Sequence, residues 1–108
     1  MKTQVSIPHH DYPARVREFV EERLESLLDS YDRIVSLRAM CERQSLTHRV
    51  ELVANVGRHA TLVVDARADA FGTALDGALA KMARVLSRHK QRLDPARSAA
   101  LRRGARRG

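Results

Sequence analysis

Basic residues near the end of the chain have the spacing that most clearly suggests a chemical role. Lysine and arginine can neutralise the closely spaced phosphates of a nucleic acid, and a row of them can follow its backbone. Intervals of three or four residues place side chains on one face of a helix. Such a surface is expected to bind a polyanion. Four basic residues have these intervals and form what we call the basic ridge: Lys81, Arg84, Arg88 and Arg92.

The net charge of the chain is concentrated in the same region. The formal charge is +7, and the first 87 residues contain as many acidic as basic residues. Lys90 lies on the other flank of the apolar stripe of this helix. The attraction of cations to a helix C-terminus accounts for one or two of the ridge residues and not for all of them. Charge alone leaves open whether the partner is a nucleic acid, an acidic membrane or an acidic protein. Five further arginines follow the helix: Arg97, Arg102, Arg103, Arg106 and Arg107.

Motifs of known catalytic or metal chemistry are missing from the sequence. It contains no glycine-rich phosphate loop, zinc-protease helix or nucleophile elbow. His9 and His10 are adjacent and therefore poorly placed to ligate one ion, and no second pair at ligand spacing is nearby. Ser45, His48 and Glu51 are close only in sequence, which does not make a catalytic triad. We therefore predict a protein that is not an enzyme and has no metal, cofactor or small-molecule substrate.

Composition indicates a soluble protein of a reducing compartment. Cys41 is the only cysteine, so no disulfide can form within the chain, and its place on an apolar strand face predicts a small core residue. The sequence shows neither a signal peptide nor an apolar run long enough to cross a membrane. Aromatic residues make up only 4% of the chain, which disfavours a sheet that stacks single-stranded bases. We predict a cytoplasmic location and no membrane partner.

The elements that must position the ridge follow from hydrophobic periodicity. Alternation predicts a first strand around Val5, and apolar residues from Val16 to Leu28 recur at helical spacing. Asp11 is the expected cap of this helix, with Pro13 in its first turn. Asp69 is the expected cap of the last helix, in which Gly72 and Gly77 are unexplained weak points. The predicted inward residues of the three intervening strands are Val35, Leu37, Ala39 and Cys41, then Val50, Leu52, Ala54 and Val56, and finally Ala60, Leu62, Val64 and Ala66.

These elements predict an α+β fold of order β-α-β-β-β-α, with a four-stranded sheet and two helices packed on one face. The apolar stripe of the last helix runs from Phe71 to Leu93, and Pro95 ends it. Residues 1–94 are the predicted folded domain. Residues 95–108 are rich in arginine and poor in apolar residues, which predicts a flexible tail.

Two segments, taken with this order of elements, resemble the ribosome hibernation factor family. This family is also called the ribosome-associated inhibitor, protein Y or sigma-54 modulation family. Residues 17–27 read REFVEERLESL and are similar to the family's first-helix pattern R-D/E-Y/F-V-E-x-K-L-x-x-L. In the last helix, ALD at 74–76, KMARVL at 81–86 and RHKQRL at 88–93 are similar to A-I-D … K-L-x-R-Q-L … K-H-K-x-K-L. The length of the chain resembles the short members.

The resemblance implies a function. Members of the family bind the small ribosomal subunit between its head and body, in the channel for messenger RNA and transfer RNA, and inhibit translation under stress or in stationary phase. The partners implied are the rRNA of this subunit and ribosomal proteins. The resemblance leaves open whether the protein promotes or opposes ribosome dimerisation. The rRNA-binding positions it implies are Lys81, Arg84, Arg88, Lys90, Arg92 and Arg17. The charge of the tail, rather than the resemblance, predicts that its arginines are auxiliary contacts.

Two other functions remain open from the residues alone. A generic module that binds double-stranded RNA by its shape could use the same ridge. A protein-interaction module that modulates transcription could use the cationic tail to dock an acidic partner. The ridge on an ordered helix favours RNA over the second alternative.

Overall fold

The computed structural model describes residues 2–57 and 60–93, with side chains as far as Lys90. The observed order of elements is β-α-β-β-β-α, which confirms the predicted α+β fold. The bounds are β1 Thr3–Ser6, α1 Ala14–Ser30, β2 Ser36–Gln44, β3 Thr47–Asn55, β4 Thr61–Ala68 and α2 Phe71–Leu93, with a single 3-10 turn at Pro8–His10 between β1 and α1.

The four strands form one mixed sheet in the order β1-β2-β3-β4. β1 pairs in parallel with β2, with Val5 opposite Ala39, because α1 carries the chain back across the sheet between them. The remaining neighbours are antiparallel, so Cys41 lies opposite Val50, and Val50 lies opposite Ala66. This register aligns the small and branched apolar residues of all four strands on one face.

The core lies between that face and the two helices. α1 packs against β1 and β2, and α2 packs against β3 and β4. Cys41 is fully buried within the core, as predicted. Val35 was predicted to point inward but is 54% exposed, because β2 begins one residue after it. The largest fully buried side chains are Leu24, Leu37, Leu52, Leu75, Met82, Val20, Val50 and Cys41.

Both predicted helix caps are wrong. α1 begins at Ala14 with Pro13 as its cap residue, and the carboxylate of Asp11 instead accepts a hydrogen bond from the backbone N–H of Arg43, at 2.9 Å. Asp11 therefore joins the start of α1 to the end of β2. α2 begins at Phe71, so Ala70 and not Asp69 precedes it. The Ala70 carbonyl accepts the first hydrogen bond of this helix.

One of the two glycines in α2 has a structural reason. A Cβ at Gly77 would lie 3.3 Å from the Cβ of Ala66 on β4, so glycine permits a close approach of helix and sheet. Gly72 has open space around it. Gly57 has a φ of +107° in the connection from β3 to β4, a left-handed conformation that glycine adopts without steric cost. None of the described helices has the length and apolar character needed to span a bilayer.

Candidate nucleic-acid interface

The rotation of α2 about its axis is fixed by its buried face. Leu75 and Met82 are fully buried against the sheet, and Leu86 is 3% exposed. Ridge residues lie well away from this stripe on the helix surface, so their side chains cannot point into the core. The described members of the basic ridge are all exposed: Lys81, Arg84 and Arg88.

None of the three described ridge cations has a described acidic partner. Every ion pair between described residues involves either Arg23 or Arg49, so neither Arg84 nor Arg88 is neutralised by a described carboxylate. Lys81 differs, because its Nζ donates a hydrogen bond to the backbone carbonyl of Asp65 on β4, at 2.8 Å. This contact holds the first ridge cation against the sheet edge and leaves its positive charge unpaired. The arrangement provides charge for phosphates at little desolvation cost.

Lys90 lies apart from the ridge. Two residues after Arg88, it reaches the opposite flank of the helix, where it lines a cavity with Tyr31 and Arg33. This confirms the flank predicted for Lys90 and separates it from the cations with which the resemblance grouped it. The side chain of Arg92 and all of the tail arginines lie outside the described residues.

Arg17 also lies away from the ridge. It is exposed on α1, and its guanidinium donates a hydrogen bond to the backbone carbonyl of Val5 on β1. Lys81 contacts β4, at the other edge of the sheet. Three strand spacings separate these edges, or about 14 Å. A partner that contacts both Arg17 and Lys81 must therefore extend over both helices.

The two helices differ in charge. α1 contains five acidic residues and three arginines, whereas α2 contains five Lys or Arg and one acid, Asp76. The pair Arg23–Asp76, at 3.4 Å, joins them. Because an RNA backbone is repelled by carboxylates, the charge pattern favours contact through α2. The acidic residues of α1 are Glu18, Glu21, Glu22, Glu25 and Asp29.

An ionic cluster on the open face of the sheet was not predicted. Arg49 on β3 contacts Glu42 and Glu51 at 3.1 Å each and Asp65 at 3.2 Å. Its hydrogen bond with Glu42 raises the pKa of Arg49 above its ordinary value. The feature that could have revealed this cluster is the pairing of Glu42 on β2 with Arg49 on β3. That pairing is known only once the register of the β2–β3 hairpin is known. Because its guanidinium is paired with three carboxylates, Arg49 does not extend the basic surface.

A second unpredicted cluster fixes the start of α2. The ring of Tyr12 lies 4.7 Å from that of Phe71 and 5.7 Å from that of His48, centroid to centroid. The Tyr12 hydroxyl hydrogen-bonds with Nδ1 of His48 at 2.6 Å. Burial raises the pKa of the Tyr12 hydroxyl above its ordinary value. His48, to which the sequence assigned no role, thus helps anchor the helix that bears the ridge.

The described His, Cys, Asp and Glu side chains are not clustered as metal ligands would be. Within residues 2–57 and 60–93, no three His, Cys, Asp or Glu side chains are grouped as a metal site requires. Burial raises the pKa of the Cys41 thiol to about 11, which disfavours the thiolate that metals and electrophiles need. What the surface offers is a set of exposed cations.

Comparison with known proteins identifies the family. The model of the family described as "Sigma 54 modulation protein / S30EA ribosomal protein" matches residues 3–94. The chain belongs to this family. The resemblance noted in the two helix segments is thereby confirmed, and the family is one of ribosome-associated proteins.

Solved structures agree with this assignment at the level of the fold. A ribosomal subunit interface protein from Coxiella burnetii has a TM-score of 0.70 and 20% identity, covering 83% of this chain and 98% of its own. The N-terminal domain of protein Y from Thermus thermophilus has a TM-score of 0.67 and 15% identity, covering 80% of this chain and 94% of its own. No curated protein sequence matches the chain.

Proposed function

We propose that the protein binds the small ribosomal subunit in the channel for messenger RNA and transfer RNA and inhibits translation during stress or stationary phase. It acts by occupancy, without chemical turnover and without a cofactor. The partner is rRNA, contacted chiefly through the basic ridge, in the cytoplasm where ribosomes are found.

The observation that supports this proposal most directly is the state of Arg84 and Arg88. Both are exposed on a helix whose rotation is fixed by its buried face, and neither has a described carboxylate partner. Exposed cations without a carboxylate partner break no ion pair on binding phosphates, and released counterions provide a further gain. Family membership supplies the ribosome as the phosphate-rich partner.

The test combines sedimentation with cell-free translation. The protein is mixed with purified small subunits, large subunits and a free RNA duplex, and each fraction is analysed by centrifugation. We expect co-sedimentation with small subunits and a fall in translation as they become occupied. The pair R84A/R88A should weaken both effects. Its matched control is R38A/R67A, which removes two exposed arginines from the open face of the sheet.

Three results would contradict the proposal. Undiminished translation at full occupancy of small subunits would exclude inhibition. Equal or stronger binding to free duplex RNA would instead support the generic double-stranded-RNA module. Equal losses in R84A/R88A and in the control pair would show that overall charge, rather than the ridge, determines affinity.

A further inference from the structure

A cavity beside the last turns of α2 has features that the basic ridge does not explain. Its volume is about 160 Å³, and it lies where the end of α1, the segment after it, the end of β3 and α2 meet. Its apolar wall consists of buried side chains: Ile34, Val56 and Leu86 are 3–6% exposed. An apolar cavity of about 150 Å³ accepts a benzene-sized ring. The space therefore fits a single six-membered ring.

Tyr31 forms a rigid aromatic part of the wall. Its hydroxyl donates a hydrogen bond to the Ala83 carbonyl at 3.3 Å and also contacts the Ser87 hydroxyl at 3.2 Å. These contacts attach the end of α1 to α2 and hold the ring in place. An aromatic ring that is fixed in this way can receive a planar ligand at low entropic cost.

The charged groups around the cavity indicate what the ligand carries. Arg33 and Lys90 are exposed, His89 is half-buried, and Asp32 is the one acid among the lining residues. Neither Arg33 nor Lys90 pairs with a described carboxylate. An apolar slot with cations at its rim suits a ring attached to a phosphate. Asp32 supplies an acceptor for the N–H groups at the edge of a pyrimidine.

We propose that this cavity binds the base of one unpaired pyrimidine nucleotide of RNA, with Arg33 and Lys90 on the adjoining phosphate. The inference rests on the proposed function, because it assumes that RNA lies along α2. Lys90 follows Arg88 by about 3 Å along the axis of a helix about 10 Å wide. A strand that leaves the ridge around the helix end therefore reaches the cavity. Paired bases are excluded, since stacking in the duplex leaves none free to enter.

The test compares two RNA hairpins by fluorescence anisotropy at one salt concentration. One stem is fully paired, and the other carries a single bulged uridine. We expect the wild-type protein to bind the bulged stem about fivefold more tightly or better, the lower range for a base stacked on an aromatic side chain. A bulged adenosine should give a smaller preference, because a purine exceeds the space available.

Variants separate the cavity from general charge. Val56→Phe fills the cavity and should abolish the preference while leaving the Kd for the paired stem unchanged. Lys90→Ala should weaken binding of the bulged stem more than that of the paired stem. Arg38→Ala, on the open sheet face, is the control and should preserve the preference. Thermal unfolding establishes that V56F is folded, and K90A alters an exposed side chain only.

Equal Kd values of the wild-type protein for both stems would overturn the inference, as would a preference that persists in V56F and K90A. Tight binding of free uridine monophosphate, with no preference among the RNAs, would assign the cavity to a small ligand and also overturn it. A second experiment measures binding of the wild-type protein and V56F to small ribosomal subunits. If the wild-type protein binds them and V56F binds equally well, the cavity inference fails while the proposed function stands. If the wild-type protein does not bind them, the proposed function fails.

Discussion

Gly77 on α2 lies so close to β4 that a Cβ at this position would stand 3.3 Å from the Cβ of Ala66. Four residues later, Lys81 hydrogen-bonds with the carbonyl of Asp65, the strand neighbour of Ala66. These two contacts set the height of α2 above the sheet edge, where the basic ridge begins. The glycine that weakens the helix locally thus brings its cations into a fixed relation with β4.

Alanine at the two helix glycines should have different effects on stability. Gly72 has open space around it, so Gly72→Ala should gain helix propensity and raise the free energy of unfolding by about 0.5–1 kcal/mol. Gly77→Ala has the same propensity gain, but the contact with Ala66 opposes it, so its net effect should be smaller or negative. Urea denaturation measures both variants. A G77A variant as stabilised as G72A would show that helix and sheet can separate freely.

Replacing Lys81, Arg84 and Arg88 by Ala should flatten the salt dependence of RNA binding. Each phosphate contact on duplex DNA contributes about 0.9 to the slope of log K against log salt, so three losses should lower it by up to about 2–3 units, and by less on folded rRNA. The core should stay intact, because these side chains are exposed. The control triple is Lys2, Arg38 and Arg67, also exposed. If the slope of the folded ridge variant matched that of wild type, the ridge would be a solvated face only.

Truncation after Asp94 should leave the fold and the docking site unchanged and reduce affinity several-fold. The segment removed is arginine-rich and poor in apolar residues, and this composition predicts a flexible arm whose electrostatic attraction is offset by the entropy lost on ordering. The deficit should shrink as salt rises. Competition between truncated and full-length protein on ribosomes, with chemical footprints of each on the rRNA, tests this. A footprint that moved or vanished at saturation would make the tail part of the recognition surface.

Cys41 should make the protein less stable at alkaline pH. Burial raises the pKa of its thiol from 9.0 to about 11. Above pH 9 the unfolded chain loses this proton before the folded chain does. The contribution of the protonated thiol to the free energy of unfolding is therefore complete below pH 9. It is lost as the pH rises to 11, by roughly 2–3 kcal/mol in total.

Denaturation of wild type and Cys41→Ala at pH 8 and pH 10.5 isolates this contribution, because the other titrating groups are common to both. The wild-type protein should lose more stability than C41A over this interval. Equal losses in the two proteins would mean that the thiol titrates alike in the folded and unfolded chain.

Features set by short-range periodicity could be predicted from the sequence. Alternation assigned Leu52 and Ala54 to the buried strand face, and helical spacing placed Arg84 and Arg88 on an exposed face. Asp11 was misassigned because its carboxylate binds the backbone of a residue 32 positions away, a partner that local capping rules do not consider. The close approach of helix and sheet that Gly77 permits likewise depends on β4, which no pattern within α2 reveals.

The same distinction, between short-range periodicity and contacts distant in sequence, applies to the candidate site. Lys90 shares helical spacing with no ridge residue, but motif resemblance grouped them. Its actual neighbours Tyr31 and Val56 come from elements distant in sequence, so the cavity they line appears only after folding. Arg49 is a second example, since the three carboxylates that it contacts are brought together by strand register and not by a local pattern.

α2 closes the core with one face and bears the proposed RNA contacts on the other, which makes folding and binding linked equilibria. RNA that recognises the docked helix will raise the apparent free energy of unfolding with the logarithm of its free concentration, once that concentration exceeds Kd. A substitution at buried Leu75 or Met82 can then lower apparent affinity without touching RNA, by reducing the folded fraction. Such losses should recover under conditions that restore folding, whereas losses at Arg84 or Arg88 should persist in fully folded protein.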